Sequence, residues 1–162
     1  MNLLQILKNG LDNFSMSKNV IILEELISSS PEMTMEFAKS FAKKLTRKKI
    51  AFFGDLGAGK TTFIKGLCSY FNIDKDDVTS PTFTYLNIYN GNKQIFHFDL
   101  YRLKEKKHFF SLGFDEYLLS DEICLIEWPN ILEKDFILDD AISINIEHFN
   151  NNRKITISKM GK

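Results

Sequence analysis

Residues 54 to 61 read Gly54-Asp55-Leu56-Gly57-Ala58-Gly59-Lys60-Thr61, and a second threonine, Thr62, follows them. The stretch matches G-x-x-x-x-G-K-[ST], the pattern of a phosphate-binding loop. Its glycines let the backbone pass close to a ligand while successive N–H groups converge on one cluster of oxygen atoms. The stretch therefore predicts a loop that binds phosphate.

The sequence on either side of this loop supplies the structural context that the pattern requires. Ile50 to Phe53 form a short continuous apolar run, which is typical of a buried parallel strand. From Thr62 to Phe71, apolar residues recur at helical spacing. Because strand, glycine loop and helix follow in this order, a plain glycine turn with a surface lysine is the disfavoured interpretation.

The residue types in the loop indicate a magnesium-bound nucleoside triphosphate. A helix that begins near Lys60 would offer N–H groups and the positive end of its dipole. Lys60 would supply positive charge to the β and γ phosphates, and the Thr61 hydroxyl is suited to ligate Mg²⁺. No [NT]-K-x-D string, which guanine recognition in GTPases requires, occurs in the chain, so ATP is favoured over GTP.

Bulk composition limits the classes of partner. The 162 residues suit one domain, and 21 basic against 21 acidic residues leave no large cationic surface for unaided RNA binding. No apolar run approaches membrane-spanning length, and the N-terminal residues are too mixed for a secretory signal. We therefore expect a cytoplasmic protein without membrane contact. Cys68 and Cys124 lack metal or redox spacing and are expected to be buried.

We expect one phosphate-loop domain over residues 18–162, preceded by an extension over residues 1–17. Met16 and Ser17 read like a fresh chain start just before the strand-like run at Val20. The extension is alternatively an amphipathic helix, because leucines at positions 3, 4, 7 and 11 share a helical face. Neither interpretation indicates its role.

Local patterns predict the remaining elements. Ser30 and Pro31 mark the start of a helix that runs to about Leu45. Phe83 and Tyr85 indicate a strand, Asn90-Gly91 a tight turn, and residues 94–100 a second strand, which together predict a β-hairpin. The aromatic-rich residues 109–119 are expected to form short helices that pack on the sheet. Residues 123–126 read as a buried strand, and alternation over 141–147 and 155–157 predicts an edge hairpin.

Two acidic residues follow apolar strands and are the candidate catalytic carboxylates. They are Asp99 and Glu127, and ligands of open α/β sheets bind at the carboxyl ends of the strands. The polar cluster at residues 79–84 fits either a phosphate-sensing switch or an ordinary proline turn. Arg102 fits either an arginine finger acting in cis or a surface salt bridge. Because the chain has only three arginines, we expect slow hydrolysis without a partner.

Five stretches, in this order and at this spacing, resemble one known family. They are GDLGAGKTTF, SPTFTYLNIY, HFDLYRL, GFDEYL and LIEWP, and the resemblance extends from Ser28 to Phe149. It is to the TsaE (YjeE) family, small ATPases of tRNA threonylcarbamoyladenosine biosynthesis. The resemblance implies a three-layer α/β/α sandwich of the P-loop NTPase type with a mixed sheet. It also implies ATP and Mg²⁺ as ligands and the proteins TsaB and TsaD as partners, with TsaD modifying adenosine 37 and tRNA contacted only indirectly.

The same resemblance assigns roles to individual residues. Lys60 would hold phosphates, Thr61 and Glu127 would serve Mg²⁺, Asp99 would be a second functional carboxylate that either orients the attacking water or stabilises the switch, and Trp128 would lie beside the site. The implied nucleotide-binding residues are Asp55, Leu56, Gly57, Ala58, Gly59, Lys60, Thr61 and Thr62, with Ser30 and Asn151 at the base or ribose. Both carboxylates fit the metal, and we choose Glu127. His97, His108 and His148 have no metal spacing and receive no role.

Two other functions remain open from the sequence. A small-molecule P-loop kinase would use the same loop with Asp99 as its base, although so few arginines leave little for a lid that clamps a phosphoryl group. A nucleotide-sensing module would bind ATP without needing its hydrolysis. Fast phosphoryl transfer without partner proteins would favour the kinase, and function that survives Glu127→Gln would favour the module.

Overall fold

The computed structural model describes residues 20–132 and 140–161, so the predicted N-terminal extension lies outside the described residues. The strands are β1 Val20–Ser28, β2 Lys49–Phe53, β3 Leu86–Asn90, β4 Gln94–Asp99, β5 Ile123–Glu127, β6 Ile142–Phe149 and β7 Asn152–Met160. The helices are α1 Pro31–Ala42, α2 Lys60–Tyr70, α3 Lys106–Ser111 and α4 Phe114–Leu119, with a 3₁₀ helix at Pro129–Leu132.

The seven strands form one mixed sheet in the order β1-β7-β6-β2-β5-β4-β3. Its middle is parallel, because β2 pairs with both β5 and β6, and β4 pairs with β5, in the same direction. Antiparallel neighbours flank this middle on both sides. The parallel strands therefore bring the carboxyl ends of β2, β4 and β5 to one edge, where the phosphate loop begins.

Helices cover both faces of the sheet, which confirms the predicted three-layer α/β/α fold. One buried cluster joins α1 and α2 to the sheet through Phe41, Phe63 and Leu67, among others. A second cluster on the opposite face is built around α3 and α4, with Phe109 and Leu118. Both cysteines are buried as predicted. No helix in the described ranges has the length and apolar character needed to cross a bilayer.

Strand alternation places the polar residues of the parallel strands on the face that α1 and α2 cover. Ile95 of β4 and Leu125 of β5 belong to the α1/α2 cluster. Side chains two residues apart along a strand point to the same face. His97 and Asp99 of β4, and Glu127 of β5, therefore face the side from which α2 approaches the sheet.

The start of α1 follows the predicted signals, whereas its end does not. Ser30 caps the helix by accepting a hydrogen bond from the Met33 N–H at 3.2 Å, and Pro31 is the first helical residue. The helix ends at Ala42 and not near Leu45. Hydrogen bonds that reach only three residues back, from the Lys44 N–H to Phe41 O and from the Leu45 N–H to Ala42 O, end it in a turn.

The structure corrects two other predictions. Phe83 and Tyr85 do not lie in a strand, because β3 begins only at Leu86. The chain turns after Pro81, and the Tyr85 N–H donates to the Pro81 carbonyl oxygen within this turn. Tyr85 has a φ of 64°. The hairpin of β6 and β7 is not at the edge, because β1 pairs with β7 and β2 pairs with β6. Alternation shows which face of a strand is buried, but it does not show how many neighbours the strand has.

Candidate phosphate-binding site

The phosphate loop begins directly after β2 at Gly54, a position where the backbone requires glycine. Gly54 has a φ of 136°, and a Cβ atom there would collide with the main-chain carbonyl oxygen of Ile146 on β6. At the other end of the loop, Gly59 caps α2 with a φ of 108° and offers no side-chain acceptor to the first turn. The N–H groups of that turn have no intrahelical partners and point toward the loop.

Lys60 lies inside this loop and is nearly buried. Its side chain is 5% exposed, and its Nζ donates to the carbonyl oxygens of Gly54 at 2.7 Å and Asp55 at 2.9 Å. Burial lowers the pKa of the Lys60 ammonium below its ordinary value of 10.5, while the nearby carboxylates of Glu127, Asp99 and Asp55 oppose that change. The buried cation is therefore held where a phosphate oxygen would compete for it.

Thr61 and Glu127 bring two oxygen ligands together. The Thr61 hydroxyl lies 3.4 Å from Glu127 Oε1, although the residues are 66 positions apart. Oxygen ligands suit Mg²⁺, which usually takes one or two from the protein and the rest from water and phosphates. Among the described residues, no group of three or more His, Cys, Asp or Glu side chains forms a metal cage. The pair thus fits a Mg²⁺ ion that also bears phosphate ligands.

Asp99 has its own set of hydrogen-bond donors. Its Oδ2 accepts from the hydroxyls of Ser80 at 2.8 Å and Thr82 at 2.7 Å, and its Oδ1 accepts from the Tyr101 N–H at 3.0 Å. Only 2% of Asp99 is exposed. The Ser-Pro-Thr cluster at residues 80–82 is therefore part of the site and fixes this carboxylate by its hydroxyls.

His97 belongs to the site, although the sequence interpretation gave it no role. It is fully buried, and its Nε2 lies 2.8 Å from Glu127 Oε1. Its Nδ1 lies 3.1 Å from the hydroxyl of Tyr89 on β3. The missed signal was its position two residues before Asp99 on one strand, which puts both side chains on the same face.

Aromatic residues border the site on one side, as predicted for Trp128. The Lys60 Nζ lies 4.2 Å from the centre of the Trp128 ring, and the Tyr101 ring is 4.9 Å from that ring. A cation over the face of tryptophan is attracted by the ring quadrupole. Trp128 takes a φ of 56°, so the chain turns sharply directly after Glu127.

The other predicted contact residues lie around the same edge of the sheet. Arg153 on β7 donates from Nε to the carbonyl oxygen of Ala58 at 3.1 Å, which ties the loop to the β6–β7 turn where Asn151 is exposed. Arg153 stands opposite Ser28 on the neighbouring strand β1, and Ser28 lies two residues before Ser30. Nothing in the sequence pattern had singled out Arg153.

The remaining predicted loop residues form its exposed rim and its inner wall. Asp55 and Gly57 are exposed, and Leu56 is 74% exposed. Ala58 is buried, and Thr62 lies half-buried in the first turn of α2. The Arg102 guanidinium stacks 4.8 Å from the ring of the exposed Phe83 and forms no salt bridge within the described ranges, so its role as an arginine finger stays a prediction.

A mixed sheet with a parallel middle, and a glycine loop between its strand β2 and helix α2, defines the P-loop NTPase class. The family model described as threonylcarbamoyl adenosine biosynthesis protein TsaE matches residues 28–155. The chain belongs to this TsaE family.

Individual relatives agree with the family match. The tRNA threonylcarbamoyladenosine biosynthesis protein TsaE of Rickettsia conorii is 39% identical over 129 residues, covering 78% of this chain and 73% of its own. The protein of the same name from Bacillus subtilis is 36% identical over 137 residues, covering 82% and 83% of the two chains. The crystal structure of Bacillus subtilis YdiB superposes with a TM-score of 0.70 at 32% identity, covering 90% of each chain.

Proposed function

We propose that this chain is the Mg²⁺-dependent ATP-binding and ATP-hydrolysing subunit that supports threonylcarbamoyl transfer to adenosine 37 of tRNA, together with TsaB and TsaD. One observation carries the proposal. The ammonium of Lys60 lies buried in the glycine loop on two main-chain carbonyls, beside the Thr61–Glu127 pair. Burying a cation is costly unless it is paired, and a triphosphate is the partner that this loop geometry suits.

Each part of the site has a separate task in binding. The N–H groups of the loop and of the first turn of α2 hold the phosphate oxygens, and Lys60 turns from the Gly54 and Asp55 carbonyls to a phosphate. Thr61 and Glu127 would hold Mg²⁺ by their oxygens. When bound, the ion neutralises charge that develops on the phosphate oxygens during hydrolysis.

Asp99 is the residue that we assign to the attacking water. Its carboxylate ends β4, in register with Glu127 at the end of β5, and three donors hold it in one orientation. A fixed carboxylate that accepts a hydrogen bond from water positions the water and can act as a general base that accepts its proton. Hydrolysis then depends on a group distinct from the metal ligands.

The placement of the arginines supports slow hydrolysis by the chain alone. Arg47 pairs with Asp140 at 3.2 Å, Arg102 stacks on Phe83, and Arg153 contacts the main chain of the loop. An arginine aimed at the transferring phosphoryl group accelerates related reactions by several orders of magnitude. We therefore assign stimulation to the partner proteins.

The test is modification of tRNA by the reconstituted set of full-length proteins. Lys60→Ala should abolish ATP binding and the formation of threonylcarbamoyladenosine together, whereas Lys75→Ala, at an exposed lysine outside the site, should leave both intact. Normal modification with Lys60→Ala would refute the proposal. Glu127→Gln tests the sensing alternative, because our account predicts that this variant binds ATP yet fails to support modification.

A further inference from the structure

A buried chain of hydrogen bonds leads from Tyr89 through His97 to Glu127. The Tyr89 hydroxyl on β3 lies 3.1 Å from His97 Nδ1, and His97 Nε2 lies 2.8 Å from Glu127 Oε1. The exposed fractions of Tyr89, His97 and Glu127 are 7%, 0% and 3%. Three adjacent strands each contribute one member, so sheet pairing fixes their spacing.

The donors and acceptors around Tyr89 and His97 determine whether the imidazole donates a hydrogen bond to Glu127. The Tyr89 hydroxyl has one hydrogen and two acceptors in reach, His97 Nδ1 and the carbonyl oxygen of Thr79 at 2.9 Å. If it donates to His97, Nδ1 accepts; if it donates to Thr79, Nδ1 carries a hydrogen and donates to the hydroxyl. An ionised carboxylate only accepts, so Nε2 donates to Glu127 in both arrangements.

We infer that His97 is the positioning residue that aims the Glu127 carboxylate at the metal ion, an inference that rests on the proposed function. Glu127 Oε1 is shared between His97 and Thr61, the latter at the longer distance of 3.4 Å. The His97 bond therefore fixes the rotation of the carboxylate about its last torsion, which is otherwise a soft angle. The second carboxylate oxygen and the remaining lone pairs stay available for metal.

The role is one of orientation and does not bring His97 into contact with substrate. Partners that hydrogen-bond to metal ligands typically change metal affinity or activity 10-fold to 100-fold when they are removed. Tyr89 in turn holds the ring, and Asn87 donates to both the Tyr89 hydroxyl and the Thr79 carbonyl at 3.2 Å. The chain thus links the loop that carries Ser80 and Thr82 to the carboxylate of Glu127.

The first test separates metal affinity from nucleotide affinity. Trp128 is the single tryptophan of the chain and contacts Lys60, so its fluorescence reports ligand binding at this site. His97→Leu removes the donor, His97→Gln retains an amide donor, and His108→Gln is the control at an exposed histidine on α3. Each full-length variant is titrated with ATP in the presence of EDTA, then with Mg²⁺ at saturating ATP, and its folding is checked by thermal melting.

We expect His97→Leu to weaken apparent Mg²⁺ affinity about 10-fold to 100-fold, with ATP affinity in EDTA unchanged. His97→Gln should recover most of that affinity, and the control should match wild type. An apparent Mg²⁺ affinity of folded His97→Leu within twofold of wild type would overturn the inference while leaving the proposed function standing. A wild-type protein that does not bind ATP and Mg²⁺ would overturn both.

The second test uses the nucleotide-free protein and does not depend on how well His97→Leu folds. Nitrogen-15 NMR of the imidazole rings involves only three histidines, and His97 is assigned by comparison with His97→Gln. We expect a slowly exchanging Nε2 proton shifted downfield by its bond to a carboxylate, and an upfield move of that proton in Glu127→Gln. A His97 ring without a hydrogen on Nε2 would contradict the inference.

Discussion

Asp99 and Glu127 stand directly opposite each other at the ends of the parallel strands β4 and β5. Their donors nevertheless differ. Asp99 accepts from two hydroxyls of the preceding loop and from the Tyr101 N–H, whereas Glu127 contacts His97 and Thr61. Two carboxylates in register with separate partners suit the two tasks that we propose for them, Glu127 as a metal ligand and Asp99 as the group that holds the attacking water.

Replacing Asp99 by asparagine tests that division. The amide keeps the shape of the side chain and can still accept from Ser80 and Thr82, but it carries no charge to draw on the proton of water. We expect ATP hydrolysis, measured with the partner proteins present, to fall about 100-fold or more, while ATP affinity changes little. Asp76→Asn, at an exposed aspartate that is not part of the site, is the control. Full turnover by Asp99→Asn would remove Asp99 from the mechanism.

The two hydroxyls on Asp99 provide an independent variant of the same test. Ser80→Ala combined with Thr82→Ala leaves Oδ2 of Asp99 without both of these donors. We expect turnover to fall in the same direction as in Asp99→Asn, and the free energy of unfolding in urea to fall by about 1–3 kcal/mol. Thr84→Ala is the control, because its hydroxyl contacts Asn87 and not Asp99. A double variant with unchanged turnover would show that the orientation of Asp99 is fixed by other means.

The buried ammonium of Lys60 predicts a pH dependence of stability. Burial lowers the pKa of this ammonium, so between that lowered value and 10.5 the unfolded chain binds more protons than the folded one. Stability contributed by this residue therefore rises with pH in that window. We expect the free energy of unfolding of the nucleotide-free wild type to rise relative to that of Lys60→Met as the pH is raised from 7 toward 10.

Comparison with Lys60→Met isolates this effect. The buried thiols of Cys68 and Cys124 have their pKa raised to about 12 by burial, so they destabilise the folded chain above about pH 9. Both thiols are present in wild type and in Lys60→Met, so their contributions cancel in the difference between the two free energies of unfolding. A difference that stays flat or falls over this range would contradict the burial of Lys60 as a cation.

Local patterns were sufficient to predict the centre of this fold. The β2–loop–α2 unit is short in sequence, and each part has its own signal: an apolar run, glycines at fixed positions and helical spacing. The α1 cap at Ser30 and the turn after Asn90 are likewise determined within a few residues. These signals place Lys60 and Thr61, together with the strand ends that carry Asp99 and Glu127.

What the sequence could not predict depends on pairing between distant strands. His97 meets Glu127 only because β4 lies beside β5, and Tyr89 meets His97 only because β3 pairs with β4 in one register. Arg153 reaches Ala58 across 95 positions for the same reason. The exposed Phe83 resembled a strand residue because aromatic residues favour strands, but the turn after Pro81 prevails locally.

The central claim is that the loop around Lys60 binds ATP with Mg²⁺, and calorimetry of the purified full-length chain tests it most directly. We predict a saturable binding heat with one ATP per chain in the presence of Mg²⁺, and its loss in Lys60→Ala but not in Lys75→Ala. A flat titration of the folded wild type with ATP and Mg²⁺ would contradict the account.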